Sequence, residues 1–85
     1  MRNDWLITFR SITFAQKGER MLQKAGIGCS LQRTPKVLSE RGCGYCLRVH
    51  RENAFAAVGV IKENGLPYGK VYKPGENGYP EEWHI

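Results

Sequence analysis

The sequence lacks several features that mark large classes of proteins. No apolar run approaches the roughly 18 residues that a membrane-spanning helix needs. The opening MRNDWLITFR has no apolar core of the kind found in secretory signal peptides, so we expect a cytoplasmic protein that does not contact a membrane. We also find no phosphate-binding glycine loop, no acidic catalytic dyad and no nucleophile–base pair at a recognisable spacing. The common enzyme classes are therefore not indicated.

Acidic residues are scarce as well. The 8 Asp and Glu residues are outnumbered by 13 Lys and Arg, which gives a formal net charge of +5. The excess is concentrated in residues 10–51, which contain nine basic residues but only Glu19 and Glu40 on the acidic side. A positive field of this kind attracts anions, whether nucleic acid, an acidic protein or a small anionic substrate.

The 85 residues, 41% of them hydrophobic, are enough for one globular domain and too few for two. We expect a single α+β domain over residues 1–73 and a C-terminal tail over residues 74–85. The tail contains Pro, Gly and acidic residues together with Tyr79 and Trp83. It can lie over the domain or extend freely, and its composition does not decide between the two.

Apolar periodicity predicts four strands and two helices. Alternating, β-branched and aromatic residues indicate strands at 4–10, 28–34, 45–51 and 68–73. Helices are indicated by a spacing of three and four, first after Ser11 and again over 52–64. The order strand, helix, strand, strand, helix, strand predicts a ferredoxin-like βαββαβ sandwich. Its two helices would cover one face of a four-stranded antiparallel sheet and leave the other face wet.

Single residues mark the ends and the contacts of these helices. Ser11 is suited to cap the first helix, and Gly26 and Gly65 follow the two helices where a C-terminal glycine belongs. Gly18 interrupts the apolar face of the first helix, which predicts a close approach to another element.

Three cysteines, an odd number, make a framework of structural disulfides improbable. Two of them form a C-x-x-C motif at Cys43 and Cys46. In an extended chain their α-carbons would lie about 10 Å apart, whereas a disulfide needs less than about 7 Å. Either the chain bends at Gly42 and Gly44 so that both sulfurs converge, or Cys43 acts alone while Cys46 begins a strand.

Cys43 has the surroundings of a reactive thiol. Positive charge from Arg41 and Arg48 would lower its pKa and favour the nucleophilic thiolate. A loop that contains Gly42 and Gly44 can also turn backbone N–H groups toward an anion.

Three stretches, WLITFRSITFAQKGERMLQKAGI, TPKVLSERGCGYCLRV and GVIKENGLPYGKVY, together resemble the selenium/sulfur carrier protein-like family of bacterial domains. The resemblance covers residues 5–73 and implies that Cys43 carries sulfur or selenium as a persulfide or its selenium analogue. It further implies a donor, such as a cysteine desulfurase, an acceptor enzyme, and no cofactor besides the carried atom. Cys46 stands where the family pattern usually has a small residue, so a redox role for the pair would be particular to this chain.

Two other interpretations use the same residues. A zinc site would need Cys29, His50 or His84 in addition to C-x-x-C, but strong zinc signatures contain two such pairs, so we expect no metal. A basic ferredoxin-like module could instead bind nucleic acid or protein without thiol chemistry. Its predicted open face, with Cys46, Arg48 and His50, lacks the aromatic residues that stack bases, so nucleic acid is disfavoured. An exposed edge strand would permit a homodimer.

Overall fold

A computed structural model describes residues 4–38, 44–75 and 79–83. Its described residues form two helices and a five-stranded antiparallel sheet with the strand order β2-β3-β1-β4-β5. The strands are β1 (Asp4–Phe9), β2 (Cys29–Arg33), β3 (Tyr45–His50), β4 (Val71–Pro74) and β5 (Pro80–Trp83), and the helices are α1 (Ile12–Lys24) and α2 (Ala54–Glu63). Within these ranges, neither helix combines the length and apolar character that crossing a membrane requires.

The predicted α+β class is confirmed, but the predicted number of strands is wrong. Part of the tail forms β5, which pairs antiparallel with β4 so that Val71 faces Trp83 and Pro74 faces Pro80. The first four strands follow the order β2-β3-β1-β4, and β5 extends the sheet beyond the four strands that were predicted. The tail therefore lies against the domain at residues 80–83.

The predicted helix ends are confirmed in detail. Ser11 Oγ accepts a hydrogen bond from the Phe14 N–H at 3.2 Å and so caps α1. Gly26 and Gly65 have φ angles of 79° and 67°, the left-handed conformation that follows many helices. The N–H of the next residue returns to the last turn in each case, from Ile27 to the Leu22 carbonyl at 2.8 Å and equivalently after α2.

Both helices pack on one face of the sheet, because the apolar residues of β1 and β3 point toward them. Ile7, Phe9 and Leu47 are fully buried there. A Cβ atom at Gly18 would lie 3.0 Å from Leu47 Cδ1 and 3.1 Å from Phe9 Cζ, which confirms that α1 approaches the sheet closely at this glycine. The buried residues of α2, among them Val58 and Ile61, complete the core.

The opposite face is not uniformly wet, which corrects the prediction. Thr8 and Cys46 face each other across β1 and β3 on this side, and only 1% and 0% of their surfaces are exposed. The Thr8 hydroxyl is satisfied by the backbone that leads into β4, since it accepts from the Lys70 N–H at 2.8 Å. The centre of this face, at Thr8 and Cys46, is therefore buried rather than solvated.

Candidate thiol site

The structure describes the residues on both sides of the connection between β2 and β3. The Thr34 N–H donates to the Gly44 carbonyl oxygen at 3.0 Å, which continues the pairing of β2 and β3 by one step. A short 3-10 helix, Lys36–Leu38, follows Thr34 and Pro35. The predicted site residues Arg41, Gly42 and Cys43 lie outside the described residues, so their roles stay predictions.

Cys46 is described, and it is a buried free thiol. Its Sγ–H donates to the Arg33 carbonyl oxygen at 4.0 Å. Burial raises the pKa of the Cys46 thiol above its usual value, and the Thr34 and Gln32 side chains and the Arg48 charge only partly oppose this effect. At neutral pH the sulfur is thus a protonated thiol, which is a poor nucleophile.

Thr34 contributes a second buried polar group beside Cys46. The residue is 8% exposed, and apart from its interaction with the Cys46 thiol its Oγ1 has no hydrogen-bond partner among the described residues. A buried hydroxyl without a partner costs about 1–3 kcal/mol, so such groups are uncommon in folded proteins. Sequence reasoning did not single out Thr34, because a threonine before a proline carries no visible signal of burial.

Arg48 was predicted to supply positive charge to Cys43. It shares the Cys46 face of the sheet, and its charge does act on the Cys46 thiol. Its Nε, however, lies 3.4 Å from Asp4 Oδ2, at the start of β1. Part of its charge is therefore balanced by a carboxylate.

Other cations collect at the end of the β2–β3 pair. Phe9 and Arg33 both pair with Tyr45, so Arg10 and Arg33 lie at the same end of the sheet, where β3 begins. The Arg33 guanidinium is 5.7 Å from the centre of the Tyr45 ring, within the range of a cation–π contact. Arg10, Arg33 and Lys36 are exposed, and no carboxylate in the described part of the chain forms an ion pair with them. The basic excess of residues 10–51 indicated such cations, but the strand register was needed to place Arg10 at the same end of the sheet as Arg33.

The described residues that were weighed as zinc ligands, Cys29, Cys46 and His50, do not converge. Cys29 faces the helices, and its Sγ–H donates to the Glu19 carbonyl oxygen at 4.0 Å. Burial and the Glu19 charge raise the pKa of this thiol. His50 instead accepts the Glu52 N–H through Nδ1 at 3.3 Å. Across residues 4–38, 44–75 and 79–83, no group of three or more His, Cys, Asp or Glu side chains could hold a metal ion. His84 lies outside these ranges.

The face opposite the helices offers little for stacking bases. Trp5 and Phe9 belong to the core on the helix side, together with Ile7. Among the described strand residues of the opposite face, Tyr72 is the aromatic one, paired with Leu6 and partly buried. Sheets that bind single-stranded RNA stack two or three bases on several aromatic rings.

Comparison with known proteins connects this chain to one family. Residues 4–73 match the model of a family described as "Putative Se/S carrier protein-like". No curated protein and no solved structure matches the chain. The family match includes both helices, β1 to β3 and most of β4, and it ends before β5.

Proposed function

The chain belongs to this family of Se/S carrier-like proteins, and on that basis we propose that it carries sulfur or selenium on Cys43. The family match over residues 4–73 is the observation that carries the proposal, because it includes the Cys43–Gly44 pair. The carried atom would form a persulfide or perselenide and would then pass to a partner protein. The chain would be a carrier without other cofactors rather than an enzyme.

The transfer needs no net oxidation or reduction. The Cys43 thiolate attacks the terminal sulfur of a persulfide on the donor, a new S–S bond forms, and the donor leaves as a thiolate. The product, Cys43–S–S⁻, keeps the negative charge on its terminal atom. A nucleophile of the acceptor then attacks that atom and releases the Cys43 thiolate. A donor perselenide transfers selenium by the same steps.

The described cations support this chemistry. Cys43 precedes Tyr45 by two residues in the sequence, and Tyr45 pairs with Arg33 and with the residue before Arg10. Because Arg10, Arg33 and Lys36 have no described carboxylate partner, their charge is available to an anionic persulfide and to an acidic partner surface. We propose that Arg41 and the amides of Gly42 and Gly44 add to this binding, with Arg48 contributing less because it pairs with Asp4.

Cys46 has properties that favour carriage by a single thiol. To resolve a Cys43 persulfide, Cys46 would attack the Cys43 sulfur, form a disulfide and release the reduced chalcogen. The fully buried position and raised pKa of Cys46 oppose that attack. We therefore propose that Cys43 carries the atom alone and that Cys46 acts only if the face around it opens.

The remaining features of the proposal concern setting and partners. We propose a cytoplasmic carrier whose donor is a cysteine desulfurase or another sulfur or selenium donor and whose acceptor is an enzyme. The first four strands with α1 and α2 would form a ferredoxin-like unit to which β5 is an addition.

Mass spectrometry of the intact protein tests carriage directly. We expect one added sulfur after incubation with a cysteine desulfurase and cysteine, and one added selenium after incubation with the desulfurase and selenocysteine. The Cys43→Ser variant should add neither atom. Cys46→Ser and Cys29→Ser are matched controls that make the same change elsewhere, and both should still load. An unmodified wild-type protein, under conditions that load an established carrier, would refute the proposal.

The alternative function, a binding module without thiol chemistry, rests on the same exposed cations. Nucleic-acid binding would appear as a mobility shift of an oligonucleotide that weakens steeply with salt. Such a shift, unaffected by Cys43→Ser and accompanied by no loading, would favour the alternative.

A further inference from the structure

The strand β5 is held on the edge of β4 by backbone pairing and by two ion pairs. The hairpin closes through the Gly75 N–H, which donates to the Tyr79 carbonyl oxygen at 2.9 Å. Lys70 Nζ lies 3.7 Å from Glu82 Oε1, and Lys73 Nζ lies 3.7 Å from Glu81 Oε1. Both glutamates of β5 thus meet a lysine in or next to β4.

Trp83, the last residue of β5, joins an aromatic cluster with Trp5 and Phe55. Its ring centre is 5.1 Å from the ring centres of both Trp5 and Phe55, and those two are 5.5 Å apart. All three pairs are edge-to-face, an arrangement that aromatic rings favour. Phe55 is nevertheless 65% exposed, so the cluster is open to solvent on one side.

The surface that β5 covers is formed by β4 and by residues of other elements. The family match stops at residue 73, before β5 begins. Without β5, β4 would be an edge strand with unpaired backbone N–H and C=O groups. Beside that edge would lie two lysines, Lys70 and Lys73, and two aromatic rings, Trp5 and Phe55. This surface is complementary to an extended segment with acidic residues followed by a large aromatic one.

We propose that the β4 edge, with Lys70, Lys73, Trp5 and Phe55, is a docking surface for an extended acidic–aromatic segment of a partner protein. Residues 80–83 occupy this surface within the chain and show the chemistry of the segment that fits it. Docking by strand addition uses the backbone for affinity and the side chains for specificity. The inference does not depend on the thiol chemistry of Cys43.

Several features make β5 exchangeable. The strand has four residues, and its first, Pro80, has no N–H to donate. The ion-pair side chains are 36–61% exposed, so water and salt weaken both pairs. Attachment through a short hairpin gives β5 a high effective concentration at its site, and a free segment must overcome that advantage. Weakening β5 should therefore open the surface to a segment added in solution.

A synthetic peptide with the sequence of residues 75–85, GENGYPEEWHI, provides the probe. The protein is the full chain with Glu81→Lys, Glu82→Lys and Trp83→Ala, which removes the ion pairs and the aromatic contacts of its own β5 and leaves only backbone pairing to hold it. We expect this release variant to bind the labelled peptide at least about tenfold more tightly than the wild-type chain, because the attached strand no longer competes. Fluorescence anisotropy measures the affinity, and hydrogen exchange should show new protection in β4.

A charge exchange supplies the matched control. A peptide in which lysine replaces Glu81 and Glu82 should bind the release variant at least about tenfold more weakly, since it places like charges opposite Lys70 and Lys73. Adding Lys70→Glu and Lys73→Glu to the release variant should reverse the preference between the two peptides.

Protection of the β1 and β3 amides shows that the release variant is folded. If that protection were lost, Trp83→Ala alone would carry the test with the same expected order of affinities. A folded variant that binds neither peptide would overturn the proposal. Self-association in place of peptide binding would overturn it too, because the occupant would then be a second copy of the chain.

Discussion

The cations near the ends of the two hairpins of the sheet differ in whether they form ion pairs. In the hairpin of β4 and β5, Lys73 meets Glu81, and Lys70 beside the hairpin meets Glu82. At the far side of the sheet, Arg33 ends β2 and Lys36 follows it, and neither forms an ion pair with a described carboxylate. Paired charges add to the cohesion of a structure, whereas unpaired like charges repel each other and keep a potential that attracts anions. The difference is consistent with attachment of β5 through the first hairpin and with the anion binding proposed for the second.

The burial of the thiols sharpens this comparison. Cys46 is buried within the β2–β3 hairpin, and its raised pKa keeps the thiol protonated at neutral pH. Cys29, in the same hairpin, is half-buried and also has a raised pKa. The hairpin that we propose to bind anions therefore contains two described thiols that are unsuited to attack, and the proposed chemistry depends on Cys43.

The largest expected effect is a difference in alkylation rate among the thiols. With iodoacetamide at pH 7.5, we expect Cys43 to react first. The alkylation rate of Cys46 should be lower than that of Cys43 by a factor of about a thousand or more. Cys46 is fully buried, so its reaction requires opening of the sheet, which costs a large part of the unfolding free energy. Time-resolved peptide mass spectrometry measures each rate.

The alkylation experiment contains its own control. All three cysteines should react at similar rates in 6 M guanidinium chloride, because unfolding removes the differences in burial. Comparable rates for Cys43 and Cys46 in the folded protein would contradict the single-thiol proposal.

The second effect concerns how the β2–β3 hairpin is anchored. Leu47 of β3 is fully buried against α1 near Gly18, so Leu47→Ala should lower the free energy of unfolding by about 2–5 kcal/mol. Leu31→Ala is the matched control, since Leu31 faces Leu47 in the edge strand β2 and is only partly buried. Urea denaturation followed by circular dichroism gives both values. Equal losses would mean that the edge of the hairpin is as firmly anchored as its inner strand.

The sequence predicted the parts of the fold that follow from local pattern. The alternation in residues 45–51 assigned Cys46, Arg48 and His50 to the face opposite the helices, and the residues between them, Leu47 and Val49, are indeed in the core on the helix side. Ser11 and the glycines after both helices were also assigned correctly, because caps depend on neighbouring residues. Gly18 was informative for a similar reason, since a glycine on an apolar helix face has few purposes other than close packing.

The sequence could not predict what depends on distant contacts. Pro-Glu-Glu-Trp has little intrinsic preference for a strand, and β5 forms through Lys70, Lys73 and the ring of Trp5. Parity assigned Cys46 to a face of the sheet but did not show that the centre of that face is buried. The roles of Cys43, Arg41 and Gly42 remain predictions from sequence.

The third effect tests the attachment of the β4–β5 hairpin. Trp83→Ala should lower the free energy of unfolding by about 1–3 kcal/mol, because it removes two edge-to-face pairs and a partly buried ring. Tyr79→Ala, in the same hairpin, should change it by less than about 0.5 kcal/mol, since Tyr79 is 71% exposed. Urea denaturation measures both. A large effect of Tyr79→Ala would show that the hairpin is held by contacts other than the aromatic cluster.

The smallest effect compares paired with unpaired cations directly. A double-mutant cycle with Lys73→Gln and Glu81→Gln should give a coupling energy of about 0.2–1 kcal/mol, as exposed ion pairs do. The coupling should shrink as salt rises from about 0.05 M to about 1 M, because ions screen exposed charges.

Lys36→Gln is the matched change at the other hairpin. This substitution should leave the free energy of unfolding unchanged or slightly raised. Lys36 forms no ion pair with a described carboxylate that the substitution could remove, and it lies near the cationic Arg33 in the chain. If Lys36→Gln lowered the free energy of unfolding as much as Lys73→Gln does, the cations of the β2–β3 hairpin would stabilise the fold too. Their charge would then be no evidence for anion binding. If only Lys73→Gln is costly, the positive charge beside the Cys43 connection is free to act on a bound anion or an acidic partner, as carriage requires.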